Sequence, residues 1–203
     1  MGDGPKRPRA LAVAALLVVA GLLLTGCTND PLAQQFKDGG NKQYIAGSGV
    51  TEVPASHRDD AVTFSGKTED GSRFSSKDHL GDVLVVNFWY ASCAPCRIEA
   101  SDLQSLNEKY AGKGVNFIGV NTEDQAATAT AFEKKYGVTY PSIIDVNSGA
   151  AQLAFSGSLH PNATPTTLVL DRQGRIAARI EGPINDQPST LDTLISDTLA
   201  ESN

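Results

Sequence analysis

VVNFWYASCAPCRIE, residues 85–99, decides the reading of this chain. Asp82–Trp89 is β-branched and aromatic with almost no polar break, the pattern of a strand buried on both faces. From Ala94 to about Tyr110, closed by Gly112, the spacing predicts a helix, with Cys96, Glu99, Leu103, Leu106 and Tyr110 on one face. Cys93 and Cys96 therefore lie at a strand-to-helix junction, at the carboxyl edge of a sheet, where α/β folds carry their sites.

Each part of the junction has a chemical reason. Cys93 falls at the helix N-terminus, with Ser92 or Cys93 itself as the cap. The free backbone N–H groups and positive dipole end there favour a thiolate, which lowers a thiol pKa and makes a nucleophile at neutral pH. Cys96 rises from the next turn on the same side, which brings the two Cα atoms to about 5–6 Å, within disulfide range. Pro95 falls in the first turn, where its missing N–H costs nothing. A bridge between these cysteines closes too short a loop to stabilise the fold much. A zinc site would need a second Cys or His pair, and His57, His79 and His160 are not clustered. The pair points to redox chemistry, with no metal and no cofactor.

Working outward, Val62–Thr68 and Ser72–Ser75 flank Glu69-Asp70-Gly71, a hairpin signal. Val115–Asn121 reads as a second central strand. Thr122 and Glu123 open a helix that reaches Tyr136 and stops at Gly137. Tyr140–Asp145 is a short strand and Ala150–Phe155 a short helix. Thr166–Asp171 and Arg175–Glu181 flank a turn at Arg172-Gln173-Gly174, and Ser189–Leu199 is a last helix. This order predicts an α/β domain with a mixed sheet, parallel first and antiparallel at one side.

The N-terminal residues carry a different message. Lys6, Arg7 and Arg9 precede an uncharged apolar run, Leu11–Leu24, of 14 residues. A membrane-spanning helix needs roughly 20, so the pattern fits an export signal instead. Leu24-Thr25-Gly26-Cys27 resembles a bacterial lipobox, which makes Cys27 the lipidated first residue of the mature chain. Residues 1–26 are thus expected to be a signal peptide, 27–58 a lipidated tether rich in glycine, and 59–203 one domain. Removing residues 1–26 takes away three basic residues and Asp3, leaving 14 basic against 22 acidic and a net charge of -8. An acidic chain is a poor nucleic-acid binder. With Cys27 acylated, Cys93 and Cys96 are the remaining cysteines, in a compartment where disulfides persist.

Residues from about 60 to 200 resemble the TlpA/ResA branch of the thioredoxin superfamily. The resemblance rests on VVNFWYASCAPCRIE at 85–99, VNFIGVN at 115–121 and TPTTLVLDRQGRIAARIEG at 164–182. It implies a thioredoxin fold: a mixed central sheet flanked by helices, with an N-terminal β-hairpin and an inserted strand-helix element. It also implies that Cys93 attacks a substrate disulfide, that Cys96 resolves the mixed disulfide, and that Pro165 is a cis-proline facing the pair. Thr164 would then offer its backbone to an extended substrate, in a groove shared with Trp89, Tyr90, Ala94 and Pro95. Thioredoxin proper has a buried Asp six residues before its first Cys; here that position is Asn87. Members of the branch carry a Glu at the offset of Glu99, which implies that Glu99 moves protons, with a pKa raised by desolvation on its apolar helix face. Ser92 replaces a frequent Trp and is expected to leave the disulfide less shielded.

The function implied is an extracytoplasmic, membrane-tethered oxidoreductase that reduces disulfides of exported proteins. Cytochrome c maturation is the best-known use of the branch. Its partners would be exported protein thiols or disulfides, a membrane thiol electron donor of the CcdA or DsbD kind, and the membrane through the lipid anchor. A disulfide-forming oxidase of the same fold is the alternative. A thiol peroxidase is disfavoured because Tyr90 stands where peroxiredoxins have Thr or Ser. A copper carrier of the Sco type is disfavoured by the two-residue spacing of the cysteines.

Overall fold

The computed structural model describes Met1 and residues 49–157, 161, 163–185 and 187–201. The expected signal peptide, Cys27 and most of the expected tether lie outside the described residues.

β4 (Val83–Trp89) is buried at all seven positions. Its side chains alternate between two cores. Val83 and Val85 join Leu103, Leu106, Val115 and Ile195 on one face, and Leu84, Val86 and Phe88 join Phe64, Ile118 and Phe155 on the other. A strand covered on both faces has no use for a polar side, which is why its sequence lacks one. β5 (Val115–Asn121) pairs with β4 in parallel along its whole length, and β7 (Thr166–Leu170) pairs antiparallel on the other flank. β6 (Ser142–Ile144) extends the parallel side; β8 (Ile176–Glu181) and β1 (Val50–Glu52) extend the antiparallel side. The order is β1-β8-β7-β4-β5-β6. A separate pair, β2 (Ser65–Lys67) and β3 (Arg73–Ser75), forms the hairpin and touches β6 through a bridge between Thr68 and Ile143. Helices α1 (Ala94–Tyr110), α2 (Ala126–Tyr136), α3 (Ala150–Ala154) and α4 (Pro188–Ala200) complete the mixed α/β architecture expected.

The strands expected at Val62–Thr68 and Tyr140–Asp145 are shorter than expected, and two further differences have a visible cause. Residues 50–58 were expected in the tether, yet they are part of the fold. β1 pairs Val50 with Ile180, Val50 and Val53 are buried, and the Val53 N–H donates to the Ala177 carbonyl. Arg58 pairs with Asp171 and Glu201. Three residues are too few to show a strand period; the open edge of β8 makes this segment a strand. The second difference is the start of α2, at Ala126 instead of Thr122. The Asn121 side-chain carbonyl accepts the N–H groups of Glu123 and Asp124 at 3.2 and 2.7 Å, a local turn that competes with helix.

Candidate active site

The turn from β4 into α1 is held from three directions. The Thr122 N–H donates to the Trp89 carbonyl at 3.1 Å. The Asp124 carboxylate accepts the Ala91 N–H at 2.6 Å and the Asn121 amide at 2.9 Å. Arg97, one turn into α1, donates back to the carbonyls of Ala91 and Ser92 at 3.3 and 2.9 Å. Neither Asp124 nor Arg97 is marked out by its place in the sequence. Asp124 stood inside an expected helix start, and nothing in its spacing points thirty-three residues back to Ala91.

Cys93 is the N-cap of α1, and its Sγ accepts the Cys96 N–H at 3.2 Å. The helix thus spends one of its free N–H groups on this sulfur. Cys93 and Cys96 form a disulfide with an S–S distance of 2.07 Å and a Cα–Cα distance of 5.3 Å. The Thr164–Pro165 peptide bond is cis. The Thr164 carbonyl oxygen lies 3.9 Å from Cys93 Sγ. In the disulfide that contact is packing, because the sulfur has no proton; a reduced Cys93 thiol has one to donate.

Serine at 92 does not uncover the disulfide. Cys93 is 3% and Cys96 2% exposed, packed with Trp89, Ala129 and Phe132. Cover comes from α2, which also packs against Trp89. Trp89 is buried, its ring centroid lies 4.4 Å from that of Phe132, and its indole N–H donates to Ser142 Oγ at 3.2 Å. Trp89 is a wall behind the cysteines, not a groove residue. Ala94 is exposed, and Tyr90, Pro95 and Thr164 are half-buried around the pair.

Glu99 is completely buried, one turn beyond Cys96. One carboxylate oxygen accepts the Asn87 amide at 2.9 Å, and the other accepts the Ile184 N–H at 3.0 Å. Asn87 also donates to Thr167 Oγ1 at 3.1 Å. Burial pushes the Glu99 carboxyl up to about 7, against the lowering effect of those two donors. A carboxyl near 7 exchanges protons readily at neutral pH. Among the described residues no group of three or more His, Cys, Asp or Glu stands as a metal-ligand set.

Residues 52–195 match the Redoxin family. The chain belongs to that family. This redoxin is 32% identical over 129 residues to the thioredoxin-like protein YneN of Bacillus subtilis, a stretch covering 62% of this chain and 71% of YneN. It is 27% identical over 113 residues to the thiol-disulfide oxidoreductase ResA of Bacillus cereus, covering 56% of this chain and 62% of ResA, less than two thirds of that relative's length. A solved structure of a secreted thiol-disulfide isomerase from Corynebacterium glutamicum superposes with a TM-score of 0.64 at 27% identity, over 79% of this chain and 98% of that one. This redoxin is a ResA-like thiol-disulfide oxidoreductase of thioredoxin fold, with Cys93 and Cys96 as its CxxC pair.

Proposed function

We propose that this redoxin works outside the cytoplasm, tethered to the membrane by lipid on Cys27, and reduces disulfides of exported proteins. The observation that carries the reading is the disulfide at the N-terminus of α1, backed by the buried Glu99 and faced by the Thr164 carbonyl. In the reduced protein the Cys93 thiolate attacks a client disulfide, and one client sulfur leaves as a thiolate. Cys96 gives its proton to Glu99 and attacks Cys93 Sγ. The second client sulfur leaves as a thiolate; the two client thiolates take up one proton from Glu99 and one from water, matching the one Cys93 released on ionising, so the client gains two electrons and two protons. Tyr90, Ala94, Pro95 and Thr164 form the contact surface for the client chain. Re-reduction falls to a membrane dithiol of the CcdA or DsbD kind, and cytochrome c maturation is one use for such a flow. The location rests on the basic start, the short apolar run and Cys27.

Direction is tested by potential. Equilibration of the full chain with glutathione should give roughly -200 to -280 mV, nearer thioredoxin than the strong oxidant DsbA at about -120 mV. In cells a reduced fraction should persist and fall when the membrane donor is removed. A potential near that of DsbA, with the protein wholly oxidised in cells, makes it a disulfide-forming oxidase instead.

A further inference from the structure

Behind the disulfide lies a cavity of about 10 Å3, with Cys96, Asn87, Trp89, Tyr140 and Ser142 among its lining residues. That is about the room one water needs, and the lining supplies several polar partners for it. Ser142 connects this cavity to α2. Its Oγ accepts the Trp89 indole N–H, so its own proton is free to turn toward the Glu133 carboxyl, whose pKa the Ser142 hydroxyl lowers.

Glu133 is a costly residue to keep there. It is 8% exposed, and its Oε1 is buried with no hydrogen-bond partner. A buried carboxylate oxygen without a donor pays its desolvation in full, whereas the protonated acid pays much less. The charged groups that face it make this worse. Glu69 and Asp70, from the turn between β2 and β3, are both carboxylates, and Glu69 also accepts the Ser142 N–H at 2.8 Å. Tyr140 is also buried nearby, and its phenol is held protonated first by burial and then by the charges of Glu99 and Glu133. Burial, more than these neighbours, pushes Glu133 up to about 7. The contrast with Glu99 is one of donors: both Glu99 oxygens accept an N–H, and one Glu133 oxygen accepts none.

We propose that Glu133 is a second proton-holding group of the redox site, exchanging protons with Cys96 through Ser142 and the cavity. When Cys96 attacks the mixed disulfide, its proton passes either directly to Glu99 or, along this second route, to a cavity water. That water gives a proton to Ser142, and Ser142 gives its own to the Glu133 carboxylate. No electrons move along this route, and the proton returns when the pair is reduced again. Glu133 acts through Ser142, so it is a positioning residue for the proton and not a catalytic one. The inference rests on the thiol-exchange reading above: an inert wild-type protein fails that reading, while an active wild type can still fail this one.

The test uses the full chain and oxidised glutathione as the probe. The infrared difference between oxidised and reduced protein should contain a carboxylic-acid carbonyl band that vanishes in Glu133→Gln. Release of glutathione from the mixed disulfide at Cys93 should match wild type below pH 6 in that variant. Above pH 7 it should be slower by about threefold to tenfold, less than the ~10²-fold of a directly placed base. Ser142→Ala keeps the acid and cuts the route, so the Glu133 band should persist but no longer respond to reduction. A Glu133→Gln spectrum and pH profile that superpose on wild type overturn the inference, as does a Glu133 band that still responds in Ser142→Ala.

Discussion

A carboxyl group buried as deeply as that of Glu99 keeps its proton to a higher pH than it does in water. Its ordinary value is 4.5 and its folded value about 7. Between those values the folded chain binds more protons than the unfolded chain, so the contribution to stability is greatest below pH 4.5 and is lost as pH rises toward 7. Above 7 the loss is complete and the profile flattens. Glu133 acts in the same direction and the same window. The urea midpoint should therefore fall from pH 4.5 to 7, and Glu99→Gln should remove a part of that fall worth about 3 kcal/mol. A slope unchanged by the substitution would take Glu99 out of the account. At this scale the sequence was legible where neighbours in the chain are neighbours in space. The cysteine spacing and the Glu99 offset are both one helical turn. Trp89 was misplaced because adjacency to Cys93 along the chain does not say which side of the sheet its ring takes. Glu133 was not visible at all, since its neighbours Ser142 and Glu69 come from other elements.

The elements that hold the site leave little tolerance between them. Gly119 of β5 lies between Asn87 of β4 and Ser142 of β6 in the strand register. A Cβ at this position would stand 2.7 Å from Trp89 Nε1 and even closer to Ser142 Oγ. Gly119→Ala should thus push Trp89 and Ser142 apart and destabilise the fold by about 1–3 kcal/mol. Trp89 is the one tryptophan in the chain, so its fluorescence should report the shift directly. Unchanged emission together with unchanged stability would contradict the packing described. The long elements, β4, β5 and α1, were readable from patterning because each is long enough to show its period. β1, with three residues, was not, and the start of α2 was lost to the Asn121 turn.

At the scale of the folded unit, residues 50–201 are tied together at places remote from the cysteines. Arg58 joins the segment after β1 to Asp171, in the turn between β7 and β8, and to Glu201 beyond α4. Burial alone would raise the Asp171 pKa, but the Arg175 N–H and then the Arg58 and Arg175 guanidinium groups donate to this acid and hold it below its ordinary value. Such long-range ties are invisible in the sequence, where Arg58 reads as one more polar residue of a tether. What the sequence does carry is the order of elements, and that order places the β4–α1 junction beside the Thr164–Pro165 turn. The proposed function turns on what happens there, with Cys93 as the attacking and Cys96 as the resolving thiol. Full-chain Cys96→Ser and Cys93→Ser proteins, incubated with oxidised glutathione and mapped by peptide mass spectrometry, test this most directly. A lasting glutathione adduct is expected on Cys93 in Cys96→Ser, only a transient one in wild type, and no comparable adduct on Cys96 in Cys93→Ser. A lasting adduct on Cys96 in Cys93→Ser, with none on Cys93 in Cys96→Ser, would contradict this assignment.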